Sequence, residues 1–189
     1  MHVTLRTTCR SLRSPFVFPS LRDAISAATR AAPAHFRVTE FSVRGDQIHL
    51  IVEAKDTAAL VEGMRGLCIR IARQVNQVLG KTGRFFADRW HGRALENPRA
   101  VRSALVYVLG NFRKHRRKAA GAIDVYSSAP YFRDFIELEG KTPLDDNPHL
   151  LPRSLKPPDE VPVSRAKSWL LSSGWKRHGK ISISEAPVD

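Results

Sequence analysis

Residues 36–54, FRVTEFSVRGDQIHLIVEA, contain the pattern that decides the fold. Two runs rich in β-branched and aromatic residues, 36–43 and 47–53, flank Gly45-Asp46, a pair that commonly forms a turn. Side chains two residues apart on a strand share a face, and in the second run one face is apolar throughout: Ile48, Leu50 and Val52. The other face carries Gln47, His49, Ile51 and Glu53. The stretch therefore predicts a β-hairpin with one strongly apolar face.

The segments on both sides of this hairpin complete a β-α-β-β-α-β order. The expected elements are a strand at 3–5, a helix at 21–31, the two hairpin strands, a helix from 56 or 57 to 79, and an extended segment at 85–95. Ser20 is expected to cap the first helix. This order is the signature of a ferredoxin-like α+β sandwich with an antiparallel sheet.

A further helix is predicted to follow the sandwich. Asn97-Pro98 is a typical helix opening, a capping side chain followed by proline at the first helical position. The apolar residues after it recur on one helix face: Val101, Leu105, Val108 and Phe112. The preceding long helix has a similar stripe: Leu60, Met64, Leu67, Ile71, Val75 and Val78. We expect both helices to bury these stripes.

Composition divides the chain into three segments. We expect residues 1–120 to form the main domain. From about Gly140 onwards prolines interrupt any regular element, so residues 121–163 are interpreted as a Pro-rich linker or a segment wrapped over the surface. Residues 164–189 are expected to form a small tail with a short helix at 164–174.

The charge balance indicates a polyanionic partner. The chain has 31 Lys and Arg against 18 Asp and Glu, a net charge of +13, and each phosphate that such a surface neutralises releases counterions. This favours nucleic acid over an anionic membrane, although structural RNA-binding proteins share the balance, so charge alone does not select an enzyme. No apolar run approaches the roughly 18 residues of a membrane span, and no signal peptide is recognisable. Cys9 and Cys68 lie far apart and are interpreted as reduced thiols of a cytosolic protein.

Gln47 and His49 are the first residues that could carry chemistry. At positions i and i+2 of one strand they project from the same face, about 7 Å apart at the backbone, and a metal ion can bridge such a pair. A lone histidine on a strand is, however, more often a hydrogen-bonding residue than a ligand, and that alternative stays open.

Tyr107 and Asn111 are the second candidate pair, because residues four apart on a helix are neighbours. At 100° per residue, the centre of the apolar stripe lies about 90° from Asn111 and about 130° from Tyr107. Tyr107 is therefore expected on a flank from which its hydroxyl can reach a surface site. The alternative is a boundary aromatic whose ring packs and whose hydroxyl lies in water.

A basic run follows this pair immediately: Arg113, Lys114, His115, Arg116, Arg117 and Lys118. Such a run is often only a solvated face, but here a phosphate backbone bound by it would pass close to the Tyr107 hydroxyl. We expect Arg113, Lys114, Arg116, Arg117 and Lys118 to contact nucleic acid, with Arg73 and Arg89 extending the patch.

Five segments of the chain resemble one family. Three are His2-Val3-Thr4-Leu5-Arg6, residues 47–54 (QIHLIVEA) and residues 86–91 (FADRWH). The fourth, residues 107–111 (YVLGN), has a tyrosine followed four residues later by a polar side chain, and the fifth, residues 169–179, is similar to some C-terminal tails. Together they resemble the REP-associated tyrosine transposases, a branch of the single-tyrosine HUH transposases, over residues 2–118 and the tail.

The resemblance implies a single-stranded DNA endonuclease and strand transferase that acts beside small DNA hairpins. Tyr107 would attack a scissile phosphate and form a 5′-phosphotyrosine link. His49, Gln47 and Asn111 would hold Mg²⁺ or Mn²⁺, which polarises the phosphate. Strand transfer in the family typically requires a dimer. The resemblance also implies a bacterial cytoplasmic protein that joins the nucleoid when bound to DNA and has no membrane partner.

Position 47 departs from the family motif, which is His-hydrophobic-His. A Gln oxygen can ligate Mg²⁺ or Mn²⁺ but is a poorer ligand than imidazole for Mn²⁺. His2 could lie beside the hairpin and substitute for the missing imidazole. Two main hypotheses stay open: a working transposase, or a catalytically impaired protein that binds hairpin DNA without cutting it. A ferredoxin-like RNA-binding module is a third, and it leaves Tyr107 and Asn111 without a role.

Overall fold

Four strands form an antiparallel sheet in the computed structural model, which describes residues 1–32, 34–110, 112 and 122–187. The strands lie in the order β2-β3-β1-β4 and are β1 (His2–Arg6), β2 (Phe36–Arg44), β3 (Gln47–Ala54) and β4 (His91–Arg93). The long helices are α1 (Phe18–Ala31), α2 (Thr57–Val78) and α3 (Pro98–Gly110). The predicted ferredoxin-like β-α-β-β-α-β order with an added helix is confirmed.

Shorter elements follow α3. Two helices of one turn are α4 (Pro143–Asp146) and α5 (Trp169–Ser172). Three 3₁₀ turns span Ala129–Tyr131, Ile136–Leu138 and Gly174–His178. Residues 147–168, all of which the structure describes, contain no helix or strand. The expected division of the chain at residues 120 and 163 stays a prediction.

The sheet separates two apolar cores because side chains alternate between its faces. Val3, Leu5 and Leu50 pack on one face with residues of α1 and α2: Leu21, Ile25, Met64, Leu67 and Ile71. Ile51 lies on the other face and packs with α3 and the later chain: Val101, Leu105, Val108, Phe135 and Trp175. The α2 stripe is buried as predicted except at Val78, which is partly exposed.

Capping contacts confirm two predicted helix starts. The Asp56 carboxylate accepts a hydrogen bond from the Ala59 amide at 2.8 Å, and the Asn97 side chain accepts one from the Ala100 amide at 2.9 Å. The predicted start of α1 is wrong. This helix begins at Phe18 without a side-chain cap. Pro19 lies in its first turn, where amides have no partner within the helix, so a residue that lacks an amide hydrogen fits there.

The predicted extended segment at 85–95 is interrupted. Phe86 forms only an isolated bridge with Thr7, and the regular strand β4 is limited to His91–Arg93. Between them the Arg84 guanidinium donates hydrogen bonds to the backbone carbonyls of Phe86, at 2.7 Å, and Ala87. A continuous strand would use such carbonyls in its ladder, so the chain bends away after Ala87.

The predicted helix at 164–174 begins later than expected, at Trp169. The amides of Lys167 and Ser168 each donate a 2.8 Å hydrogen bond to the Glu53 carboxylate, and the Ser168 hydroxyl donates another at 2.5 Å. These contacts hold the segment before Trp169 in an extended form beside the end of β3. A sequence separation above 100 residues hides them from local pattern analysis.

Gly63 in α2 allows this helix to approach β2 closely. A methyl group added at Gly63 would lie 2.2 Å from the Phe36 ring, which is buried in the first core. Gly63→Ala is therefore expected to destabilise the protein by about 1–3 kcal/mol through overpacking, even though alanine is the better helix former. Thermal unfolding followed by circular dichroism measures the effect as a lower Tm.

Gly66→Ala, in the same helix, is the matched control. The nearest atom to its added methyl group is the flexible end of the Arg70 side chain, so helix propensity should dominate and Tm should stay equal or rise. Equal destabilisation by both substitutions would contradict the close approach of Phe36.

A cavity of about 640 Å³ lies between β2, α3 and the later chain. Glu40 lines it and accepts a 2.5 Å hydrogen bond from the Ser128 hydroxyl. Burial raises the pKa of Glu40 to about 8, and the negative charge of Asp134 adds to the shift. The folded protein therefore favours the protonated carboxyl near neutral pH.

Because the pKa of Glu40 is raised, the difference in stability between the protein and its Glu40→Gln variant depends on pH. The folded state binds the proton more tightly than the unfolded state, so stability falls as pH rises from the ordinary pKa near 4.5 towards 8. Glu40→Gln removes this dependence. Its Tm relative to the parent should rise between pH 5 and pH 8 by roughly 3 °C or more, and a pH-independent difference would contradict a buried carboxyl.

Candidate active site

The antiparallel register of β1 and β3 brings two histidines together. Thr4 pairs with His49 and His2 pairs with Ile51, so His2 and His49 are diagonal neighbours in the sheet. Both point to the face opposite Val3 and Leu5, since side chains alternate along a strand. The helix α3 lies over this face.

Tyr107 of α3 completes a triangle of three rings. Its ring centroid lies 5.1 Å from that of His49, in an edge-on arrangement, and 5.5 Å from that of His2. The two imidazole centroids are 5.7 Å apart. The fold therefore brings one phenol and two imidazoles into contact.

Two ring nitrogens of this cluster are buried without a partner. His49 is only 3% exposed, and within the described residues neither its Nε2 atom nor that of His2 has a hydrogen-bonding partner. The Nδ1 atom of His49, by contrast, lies 3.3 Å from the Thr4 hydroxyl. Buried polar atoms are nearly always paired because leaving one unpaired is unfavourable. Two such atoms in one cluster indicate a place for a ligand.

Burial also sets the protonation state of both histidines. Desolvation, followed by the charge of His2 and then of Arg44, lowers the pKa of His49 to about 4. Desolvation, followed by the N-terminal amine and Arg93, lowers the pKa of His2 to about 4. Both rings are therefore neutral at pH 7, and each neutral ring offers one nitrogen lone pair.

A cavity of about 350 Å³ opens beside the cluster. His2 and Tyr107 line it together with Arg93, an exposed residue of β4 that pairs with His2. Residues 185–187 line it as well. Tyr107 is partly exposed, so the cavity connects Tyr107, a cationic side chain and the His2 imidazole to the protein surface.

Arg102 of α3 fixes the segment that borders this cavity. Its guanidinium donates two hydrogen bonds to the Glu185 carboxylate, at 2.7 and 2.8 Å. It also donates to the backbone carbonyls of Gly179 and Lys180. One side chain thus holds both ends of residues 179–185 against α3.

Arg102→Met should loosen residues 179–187. A charge-assisted bidentate contact contributes on the order of 1.5–3 kcal/mol, so amide hydrogen exchange in this segment is expected to accelerate roughly tenfold or more. Mass spectrometry of peptic fragments measures it. Arg99→Met, at an exposed position of the same helix, is the control and should leave exchange unchanged; unchanged exchange in the Arg102 variant would contradict the anchoring.

The other predicted site residues are placed less centrally. Gln47 begins β3, pairs with Arg6 and Arg44, and shares the face of His49. The Tyr107 ring, however, contacts His49 together with His2, which lies towards the opposite end of β3. Asn111 lies outside the described residues. So does the basic run of Arg113, Lys114, Arg116, Arg117 and Lys118.

Arg73 and Arg89 are both exposed. Arg73 lies away from Tyr107. Arg73 belongs to α2, which covers the opposite face of the sheet from α3. Arg89 lies in the irregular segment before β4. Arg93, rather than Arg73 or Arg89, lines the cavity with Tyr107, as does Arg102. Only the register of β1 with β4 could have revealed this.

Within the part of the chain that the structure describes, no three His, Cys, Asp or Glu residues form a group able to hold a metal ion. The cluster under α3 instead has two imidazoles and a phenol. None of the described helices is long and apolar enough to cross a membrane.

The fold and the site together define a ferredoxin-like sandwich in which an added helix places a tyrosine over two strand histidines. A solved structure with a similar fold is that of a REP-associated tyrosine transposase bound to a REP hairpin. It has a TM-score of 0.55 and 18% identity, over 88% of this chain and 92% of that one. The resemblance stated from the sequence is confirmed at the level of the fold. No family model and no curated protein sequence matches this chain.

Proposed function

We propose that this protein is a transposase-type single-stranded DNA endonuclease and strand transferase with Tyr107 as its nucleophile. The contact of the Tyr107 ring with His49 and His2, beside an open cavity, carries the proposal. The similar fold of a transposase bound to a REP hairpin supports hairpin DNA as the partner. The net charge of +13 supports a polyanionic substrate. A cytoplasmic location in a bacterium follows from this role.

The reaction would be a transesterification at phosphorus. The Tyr107 oxygen forms a bond to the scissile phosphate while the bond to the 3′ oxygen breaks, leaving a 5′-phosphotyrosine and a free 3′ hydroxyl. The phenol loses its proton to a neighbouring base or water, and the 3′ oxygen takes up a proton. Strand transfer is the reverse attack by a different 3′ hydroxyl.

Several residues would prepare this step. Packing of the Tyr107 ring against two imidazoles fixes the phenol, which reduces the entropy lost on reaching the phosphate. Arg93, on the rim of the cavity, is placed to attract the phosphate charge. The neutral imidazoles have lone pairs that can accept the phenol proton or bind a cation.

Mg²⁺ or Mn²⁺, when bound, would polarise the phosphate and stabilise the charge that develops on it. The buried, unpartnered Nε2 atoms of His2 and His49 fit such an ion. The family resemblance assigns His49, Gln47 and Asn111 as ligands, and the basic residues after Asn111 would bind the DNA backbone. Strand transfer would proceed in a homodimer.

A covalent adduct tests the nucleophile. The full chain is incubated with Mn²⁺ and a pool of 3′-labelled single-stranded hairpins with randomised flanking bases, and the products are run on a denaturing gel. We expect a labelled protein adduct that Tyr107→Phe abolishes, because this substitution removes only the attacking oxygen. Since the chain has three tyrosines, Tyr126→Phe and Tyr131→Phe are matched controls that should retain the adduct.

Two results would contradict the enzyme. An adduct that persists in Tyr107→Phe would assign the nucleophile elsewhere. Hairpin binding on a native gel without any adduct, under Mg²⁺ and Mn²⁺ alike, would instead support the alternative, a hairpin-binding protein that has lost cleavage. Gln47 in place of the first motif histidine is the feature that favours this alternative.

A further inference from the structure

The unpartnered nitrogens of His2 and His49 belong to adjacent strands, and His2 also lines the cavity beside Tyr107. Their Nε2 atoms are buried, and neither has a partner among the residues that the structure describes. The ring centroids are 5.7 Å apart. Two imidazoles that share one ion through Nε2 place their centroids roughly 5 Å apart, given metal–nitrogen bonds of about 2.1 Å. The observed separation of 5.7 Å is close to that distance.

We propose that His2, rather than Gln47, is the second protein ligand of the divalent ion, and that His2 and His49 form a two-imidazole site beside Tyr107. The role of the ion in this inference rests on the proposed function, whereas the binding of the ion does not. In the family motif both imidazoles belong to one strand, whereas here the second imidazole would belong to the neighbouring strand β1.

Thr4 supports a metal-binding role for His49. Its hydroxyl lies 3.3 Å from Nδ1 of His49 and can accept a hydrogen bond from that nitrogen. When the hydroxyl accepts in this way, the single proton of the neutral ring lies on Nδ1 and the Nε2 lone pair is free. A hydrogen bond to the non-ligating nitrogen is the usual way in which proteins orient a metal-binding histidine.

The position of Tyr107 favours His2 over Gln47. The phenol ring contacts both imidazoles, at 5.1 and 5.5 Å between centroids, so an ion between His2 and His49 would lie beside the Tyr107 ring. Gln47 pairs with Arg6 and Arg44, on the side of His49 away from His2. An ion shared by Gln47 and His49 would be displaced towards the hairpin turn and towards these two arginines.

The donor set also predicts which ion is preferred. Imidazole nitrogen suits Mn²⁺ and other transition ions, whereas Mg²⁺ prefers oxygen ligands. A site formed by His2 and His49 should therefore bind Mn²⁺ clearly more tightly than Mg²⁺. A site formed by one imidazole and two amide oxygens should discriminate less.

The test measures Mn²⁺ binding to the full chain without DNA. Electron paramagnetic resonance reports the binding, at protein concentrations that load a site of submillimolar Kd. Pulsed measurements then count the imidazole nitrogens coupled to the ion. We expect two in the parent protein and in Gln47→Ala, and one in His2→Ala. Mn²⁺ affinity should fall about tenfold or more in His2→Ala, by analogy with the loss of other metal-orienting groups, and change less than twofold in Gln47→Ala.

Thr4→Val gives a second measurement that leaves both imidazoles in place. It should weaken Mn²⁺ binding without reducing the number of coupled nitrogens, because it removes only the group that orients His49. Since His2 is partly buried, the Tm of each variant establishes that it is folded, and His2→Gln replaces His2→Ala if the latter unfolds.

Four results would overturn the assignment: no bound Mn²⁺ in the parent protein, one coupled nitrogen there, unchanged affinity in His2→Ala, or a loss in Gln47→Ala as large as that in His2→Ala. Adduct formation by Tyr107 is measured separately. If the adduct forms and depends on Gln47 but not on His2, the proposed function stands and the ligand assignment fails. If two nitrogens bind Mn²⁺ and no adduct forms, the ligand assignment stands and the proposed function fails.

Discussion

The pairing of β1 with β3 is the constraint on which the site depends. Because side chains alternate strictly along a strand, the register that buries Val3 and Leu5 against α1 and α2 also sends His2 and Thr4 to the other face. A shift of one residue would exchange the two sets and remove both the first core and the histidine cluster. Hydrophobic burial on one side of the sheet therefore fixes the chemistry on the other.

The second core depends on the later chain as much as on α3. Trp175 and Phe135 are fully buried against the helix that carries Tyr107, and Arg102 links that helix to Glu185. The position of the phenol relative to the sheet is thus set by packing from both sides. The tail is part of what orients α3 and Tyr107.

The sequence predicted the elements whose signals are local and missed those that depend on distant contacts. The hairpin, both capped helices and the ferredoxin-like order follow from alternation, helical stripes and the residues Asp56 and Asn97. The late start of α5 depends on Glu53, more than 100 residues away. His2 could be named only as a substitute ligand, because its distance from His49 depends on a register that no local pattern specifies.

The electrostatics of the cluster connect cation binding to substrate binding. Two neutral imidazoles contribute no negative charge, and Arg93 together with the N-terminal amine adds positive charge beside His2. Under the proposed function, a phosphate entering the cavity would add negative charge, so a cation and a DNA phosphate would each strengthen the binding of the other. Under the proposed function, an ion bound by His2 and His49 would be held more firmly when the scissile phosphate is also present, so polarisation of the phosphate would be strongest in the complex in which Tyr107 attacks.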